Sequence, residues 1–400
     1  METPLKNIRV LDLSNVLAGP FCAYQLALMG AEVIKVETPH GGDLARRLGA
    51  DADAAAKSMG VSFLAVNAGK QSMTLNLKHA EGKAILKKMV AGADVLVENF
   101  RPGVMRRLGL DYPVLQALNP GLVYCAISGF GQDGPWSDRP AYDQIIQGLS
   151  GLMSVTGDAE SAPLRAGFPV CDTIGGMTAA FAIAAALTGK ARTGEGCVID
   201  VSMLESTLAS MGWVVSNYLA TGQSPQPMGN ENFTAAPSGA FRTGRGLLNI
   251  AANEQKQFET LCDVIGRPAL KTDARFARRE SRKLHRYELK AEIEAGLATA
   301  PAAEWEQRLN DAGVPAGQIL SVPEVMAQPQ VGGRGFVLEL GTVPGLGRAA
   351  RVTRGGYRVS GVSMQPAMPP PVLGAHTATW LLNLGYDDAE IARLKSEGVI

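Results

Sequence analysis

The sequence has no surplus of charge of either sign: 38 Lys and Arg stand against 38 Asp and Glu in 400 residues, a formal net charge of +0. That balance excludes a protein held mainly by electrostatics on DNA or an anionic membrane, and leaves room for a local basic patch that takes one anionic ligand. Cysteine is scarce and scattered, at Cys22, Cys125, Cys171, Cys197 and Cys262, with no Cys-x-x-Cys spacing. Neither a disulfide framework nor a thiolate zinc site is expected from an odd, dispersed set. The histidines, His40, His79, His285 and His376, never fall in a His-x-x-x-His pair, so no metal site is expected. The longest apolar run, around Met177–Leu187, falls short of the roughly 20 residues that cross a bilayer. The opening METPLKNIRV has no signal-peptide core, and a cytoplasmic protein is the expectation. No Gly-x-Ser-x-Gly elbow and no P-loop is present.

What is present is alternation. Hydrophobic residues make up 46% and charged residues 19%, proportions of a chain that folds around a sizeable core. Ile8–Leu13, Val33–Val36, Asp94–Glu98, Leu122–Ser128 and Val198–Val201 are short β-rich runs. Between them, Phe21–Met29, Ala80–Val90, Val104–Leu108 and Asp172–Gly189 carry helical patterns, with Pro20 near the first position of the first helix and Gly30 ending it. This order predicts an α/β fold with a parallel sheet covered by helices on both faces. Met203–Ala220 reads as a further helix. Gln223–Gly239, rich in Pro, Gly, Asn and Ser, reads as a linker into a second unit with a strand at Leu247–Ala251 and helices near Gln255–Ile265, Arg286–Ala298 and Ala302–Ala312. β-like runs, then helices at Ala375–Leu384 and Asp388–Glu397, close the chain.

Several motifs invite a chemical reading. Gly129–Gly134 is a literal GxGxxG after a strand, but Pro135–Pro140 does not continue as the helix that a dinucleotide turn must open, so a glycine loop is expected. Glu37 ends the second strand where a ribose-binding acid can stand, yet the first turn has only Gly19. Asp172 starts an apolar, small-residue helix. It is either a helix cap or a nucleophile kept ionised by the helix dipole. Asn99-Phe100-Arg101-Pro102-Gly103 follows a strand, at the edge where open α/β sheets bind ligands, and Arg101, Arg106 and Arg107 either meet phosphates there or form a solvated face. Lys70 and Lys78 flank a short strand and read as surface charges. The basic run Lys271–Lys290 reads as a solvated helical face.

Taken in order, VLDLSNVLAGPFCAYQLALMGAEVIKVETPHGGD, NAGKQSMTLNLK, DVLVENFRPGVMRRLGL, NPGLVYCAISGFGQDGP, AYDQIIQGLSGLMSVTG, GFPVCDTIGGMTAAFAIAAAL and PPPVLGAHT resemble the class III CoA-transferases, the family of formyl-CoA and carnitine CoA-transferases. The resemblance implies a Rossmann-like large domain built from both chain ends (1–222 and 326–400), a smaller α+β domain (223–325) and an interlocked, ring-like homodimer. It implies Asp172 as the catalytic residue, CoA contacts at Val16, Lys78, Asn99, Phe100 and Arg107, and Tyr142 near the acyl group. The substrates it implies are an acyl-CoA and a small carboxylic acid, with no tightly bound cofactor, metal, nucleic acid or membrane. Thr38 stands where some relatives carry an Arg, Asn67–Ser72 lacks two basic positions, and Leu17 replaces the Gln of formyl-CoA transferases. Phe233–Gly239 (FTAAPSG) stands where formyl-CoA transferases have a glycine loop, and together with Leu17 it argues against oxalate as the acceptor.

Many relatives use succinyl-CoA with a dicarboxylic acid, and Arg46, Arg47 or Arg139 is expected to pair a second carboxylate. The expected route runs through an aspartyl anhydride and an aspartyl-CoA thioester, with backbone amides of Gly129–Gly134 or Gly175–Gly176 as oxyanion donors. An α-methylacyl-CoA racemase is the alternative. It needs a base on each side of the α-carbon, and Tyr142, beside Asp143, is a poor replacement for the His of racemases. An NAD-dependent oxidoreductase is more distant still.

Overall fold

The computed structural model describes residues 2–400. Its first unit comprises, among the described residues, 2–152, 166–223 and 332–400, and its second comprises 153–165 and 224–331. The first is organised by a parallel sheet of β1 (Arg9–Asp12), β2 (Glu32–Glu37), β3 (Lys70–Thr74), β4 (Val95–Glu98), β5 (Val123–Ser128) and β6 (Cys197–Ser202), in the order β3-β2-β1-β4-β5-β6.

The strands are apolar almost without interruption because both faces are covered. Leu11, Ile34, Leu96 and Tyr124 point to one face and pack with Ile85, Leu86 and Met89 of the Ala80–Val90 helix and with Trp380, Leu381 and Leu394 near the C-terminus. Their neighbours Val10, Val33, Val95, Val97 and Cys125 point to the other face, against the helices Ala18–Leu28 and Val170–Thr193. The two-residue period of a strand divides one hydrophobic run between two cores.

Val170–Thr193 is long and apolar enough to cross a membrane by length and composition. Its buried stripe, Gly175, Gly176, Ala179, Ala180, Ile183 and Leu187, packs within the protein. Close approach explains the small residues: a Cβ on Gly176 would stand 2.4 Å from the Ala18 carbonyl oxygen.

The chain's last residues close over the outer strand β3. Thr377 Oγ1 accepts from the Thr74 amide at 3.0 Å, His376 Nδ1 from Ser72 N at 3.1 Å, and Val399 O from Asn76 N at 2.7 Å. In the second unit, β7 (Ser238–Arg242), β8 (Leu247–Ala251) and β9 (Ala316–Gln318) form an antiparallel sheet. Its core is Phe241, Leu248 and Ile250 with Phe258, Leu261, Ile293, Trp305 and Leu309 from three helices. β10 (Val337–Thr342) and β11 (Ala349–Thr353) pair as a hairpin of the first unit.

Several sequence expectations are corrected. Met203–Ala220 is two helices, Met203–Ser210 and Trp213–Thr221, broken at Gly212, whose φ is 39°. The first helix starts at Ala18, so Pro20 is its third residue. Lys70 is no surface charge: it is fully buried, with Nζ 2.9 Å from Asp12 Oδ2 and 2.8 Å from Pro20 O. Within the basic run 271–290, Arg282 is also fully buried, donating to the carbonyls of Ala236 and Phe276 and to Gln255 Oε1.

Candidate active site

The strand order reverses direction at β1, whose following strand β2 lies on one side and whose other neighbour is β4. A crevice opens at the carboxyl ends of such a pair, because the connections leave in opposite directions. The turn after β1 carries Ser14, Asn15 and Val16. The turn after β4 carries Asn99 and Phe100. Asn99 locks the two together: its Oδ1 accepts from Asn15 N and its Nδ2 donates to Asn15 O, both at 2.8 Å. Gly19 completes the junction, since a Cβ there would lie 2.2 Å from Ser14 Cβ and 3.6 Å from Asn99 Cγ. Val16, Asn99 and Phe100, far apart in sequence, are thus brought together by β-strand order.

Asp172 reaches the same edge. It lies in the first turn of Val170–Thr193, one turn before the Gly176 that touches Ala18. The cap expectation is corrected: Pro169 is the N-cap residue, and the carboxylate that satisfies the helix belongs to Asp143. Asp143 Oδ1 accepts from Cys171 N at 2.8 Å and Asp172 N at 3.2 Å, while its Oδ2 accepts from Gln147 at 2.6 Å. A charge already occupies the helix N-terminus, so the dipole does not keep Asp172 acidic. Burial, with the Asp143 charge added, pushes the Asp172 carboxyl up to about 7. This corrects the expectation of a firmly ionised carboxylate: the group is more basic than an ordinary carboxylate. Tyr142, immediately before Asp143, is 69% exposed beside this turn.

Of the expected oxyanion donors, Gly175 and Gly176 are corrected: they are inside the helix, where their amides serve the helix itself. In the Gly129–Gly134 loop, Gly131 N donates to Ser128 Oγ at 2.9 Å and Gln132 N to Asp200 Oδ2 at 2.8 Å, so those two amides are engaged. The Gly129–Gly134 segment opens no helix.

Arg107 lines a cleft of about 410 Å³ with Arg101, Arg106, Glu98 and Tyr124. Burial lifts the Glu98 carboxyl to about 7, with its oxygens receiving Phe100 N at 2.7 Å and Tyr124 OH at 3.1 Å. All three arginines are exposed, with Arg106 Nε 3.7 Å from Asp111 Oδ2. Lys78 is exposed beyond β3, which lies two strand spacings, about 10 Å, from β1. Arg139 is exposed and stacks on Trp136 at 4.6 Å. Arg46 is withdrawn from the candidates for a substrate carboxylate: it is fully buried, with Nε and Nη2 each 2.7 Å from Glu37 oxygens. That fork also occupies Glu37, which removes it as a ribose-binding acid. Arg47 remains exposed, its Nη1 on Gly41 O at 2.6 Å. The sequence reading missed the cap formed by Asp143 and the support of the Val16 turn by Asp43. An acid just before an apolar helix-like run was the only local signal for the first.

A model of CoA-transferase family III matches residues 5–377. The chain belongs to that family. Among curated relatives of this CoA-transferase, the succinate–glutarate CoA-transferase of Agrobacterium fabrum is 38% identical, with 96% of each chain covered. Succinyl-CoA:glutarate CoA-transferase of Mus musculus is 37% identical over 99% of this chain and 90% of its own. The acetyl-CoA:oxalate CoA-transferase of Acetobacter aceti is 41% identical over 88% of this chain and 89% of its own. A CaiB/BaiF family protein from Brucella suis has the same fold, with a TM-score of 0.83 at 35% identity, covering 96% of this chain and 100% of that one.

Proposed function

We propose that the protein moves CoA from succinyl-CoA to a second dicarboxylic acid, with Asp172 as the nucleophile and CoA lying along the β1–β4 junction. The observation that carries this reading is a basic, partly buried Asp172 held one helical turn from the contact with Ala18, at the carboxyl edge of the sheet. A thioester is reactive enough for a carboxylate to attack it without ATP. Attack at the thioester carbonyl forms the Asp172–acyl anhydride and releases CoA thiolate. The thiolate then attacks the Asp172 carbonyl, forming aspartyl-CoA thioester and expelling the donor acid. The acceptor carboxylate attacks that thioester, giving a second anhydride and thiolate again. Thiolate attack on the acceptor's acyl carbon forms the new acyl-CoA and regenerates the Asp172 carboxylate.

The exposed Arg101, Arg106 and Arg107 suit CoA phosphates, and Val16, Asn99 and Phe100 line the junction between them and Asp172, with Lys78 further out. Tyr142 stands by the acyl group, and Arg139 or Arg47 pairs the far carboxylate. Relatives named for succinate and glutarate support a dicarboxylate pair. No tightly bound cofactor is part of this route.

The same reading includes an interlocked homodimer in the cytoplasm. Phe181 on Val170–Thr193 is 75% exposed, and Trp213 and Leu219 on Trp213–Thr221 are 81% and 76% exposed, apolar surface that a second copy would cover.

The deciding experiment is mass spectrometry of the CoA pool after mixing the protein with succinyl-CoA and a panel of dicarboxylic acids. A new acyl-CoA, absent with Asp172→Ala, is the expected result. Solvent-deuterium uptake at the α-carbon of a branched acyl-CoA with no acceptor present would replace this reading with racemisation.

A further inference from the structure

The turn after β1 adopts a conformation that its own residues do not favour. Val16 has φ 67°, in the left-handed region, where a β-branched side chain is crowded against its own backbone. Something outside the turn must hold it. The Val16 amide donates to Asp43 Oδ1 at 2.9 Å. The other carboxylate oxygen, Oδ2, lies 2.9 Å from Lys35 Nζ, and Lys35 Nζ in turn donates to Ser14 O at 2.8 Å. Asp43 and Lys35 are both fully buried. One ion pair therefore grips the turn at the Ser14 carbonyl and the Val16 amide, while Asn99 holds Asn15 from the opposite side.

Helix capping does not account for this arrangement. Asp43 also accepts from Ala45 N at 2.9 Å, at the start of the short helix Leu44–Arg47, but a Ser or Asn would serve that amide without a buried charge. The charge is matched to Lys35, and Lys35 reaches the turn. Asp43 is itself fixed, its amide donating to Glu37 Oε2 at 3.0 Å, beside the Glu37–Arg46 fork. Burial works against ionisation of Asp43, yet the Lys35 charge and the two backbone donors hold its carboxyl below the ordinary carboxylate range.

We propose that Asp43, locked by Lys35, is a positioning residue for acyl-CoA: it holds Val16 in the left-handed conformation that shapes the β1 side of the CoA crevice. This rests on the reading that CoA lies at the β1–β4 junction. Asp43 touches no reacting atom. Its effect passes through the backbone of Val16.

The test uses wild type, Asp43→Ala, Asp43→Asn, Val16→Gly and the Asp43→Ala/Val16→Gly double variant. CoA affinity is measured by calorimetry, KM and kcat with succinyl-CoA, and hydrogen exchange in the peptide containing Val16. Asp43→Ala is expected to weaken CoA binding and raise KM on the order of tenfold, with kcat changed by less than about threefold. Asp43→Asn, which keeps an oxygen for the Val16 amide, should lose less. Glycine takes a positive φ unaided, so the loss caused by Asp43→Ala should largely vanish in the Val16→Gly background. Val16 amide exchange should quicken in Asp43→Ala. An equal loss in both backgrounds, or a fall in kcat at unchanged KM, would overturn the proposal. If wild type binds no CoA, the reading of the crevice fails, whereas unaltered exchange at Val16 defeats the clamp alone. Should Asp43→Ala not fold, Lys35→Met/Asp43→Ala, which removes the cation then left facing Asp12 at 3.9 Å, takes its place in the series, with Lys35→Met as its reference.

Discussion

Asp172 and Asp143 share one helix terminus and divide two tasks between them. Asp143 takes the amides of Cys171 and Asp172 and is the capping charge. Asp172 is left partly buried beside a like charge, and its carboxyl rises to about 7. A carboxyl raised in this way is neutral below its pKa, and only the ionised form attacks a thioester. Activity should therefore climb about tenfold per pH unit below 7 and level off above it. Asp143→Asn keeps an oxygen for the helix amides but removes the repulsion, so the acid limb of kcat/KM should move to lower pH. Burial, the larger cause, stays in place, so the limb should remain above the ordinary carboxylate range. A pH–rate profile that does not move in Asp143→Asn would show that the neighbouring charge does not set the nucleophile's basicity.

At the level of elements, the Val170–Thr193 helix ties Asp172 to the turn after β1. Gly176 lets it meet the Ala18 carbonyl, and an added methyl group has no room there. Gly176→Ala should destabilise the protein by about 1–3 kcal/mol. It should also reduce kcat, because Asp172 rides on the same helical turn. Gly189, in the same helix with nothing within 4 Å of its would-be Cβ, is the control. Gly189→Ala should be neutral or stabilising by up to about 1 kcal/mol. Urea unfolding of both variants checks the pair, and equal effects would refute the contact argument.

The Ala80–Val90 helix, the Val104–Leu108 turn and β8 run where the local pattern places them, because period, caps and glycines all lie within a few residues of one another. The buried cations were not legible in that way. Lys70 reads as a surface charge, and Arg46 as a partner for a substrate carboxylate, because the anions that neutralise them come from other elements, as Asp12 does for Lys70 across 58 residues. Burial also reverses the simple electrostatic account: it lowers the Lys70 ammonium to about 8 despite Asp12, while Lys35 and Lys70 overcome burial to hold Asp12 at about 2. The positions of Asp172, Val16 and Asn99 could be suspected from motifs, but their meeting depends on strand order. The supporting acids Asp43 and Asp143 carry no pattern beyond their neighbours.

For the whole molecule, the exposed apolar side chains of Val170–Thr193 and Trp213–Thr221 bear on assembly. If the proposed interlocked homodimer covers this surface, Trp213→Glu should lower the fraction of dimer recovered after refolding, read by light scattering against wild type handled identically. A wild-type protein that is monomeric at micromolar concentration would remove the dimer from the proposal. The closure of β3 by the chain's end has a different consequence, for the order in which the protein can be made. Thr74 is bonded to Thr377 across 303 residues. At ordinary translation speeds the ribosome needs roughly 15–60 s to supply that partner. Throughout that interval the emerging β2–β3 edge, with Ile34, Met73 and Leu75, lacks its cover. β2 and β3 are thus sealed long after they are synthesised, and a slowly translated chain spends longest in the state most open to chaperones and to other nascent chains.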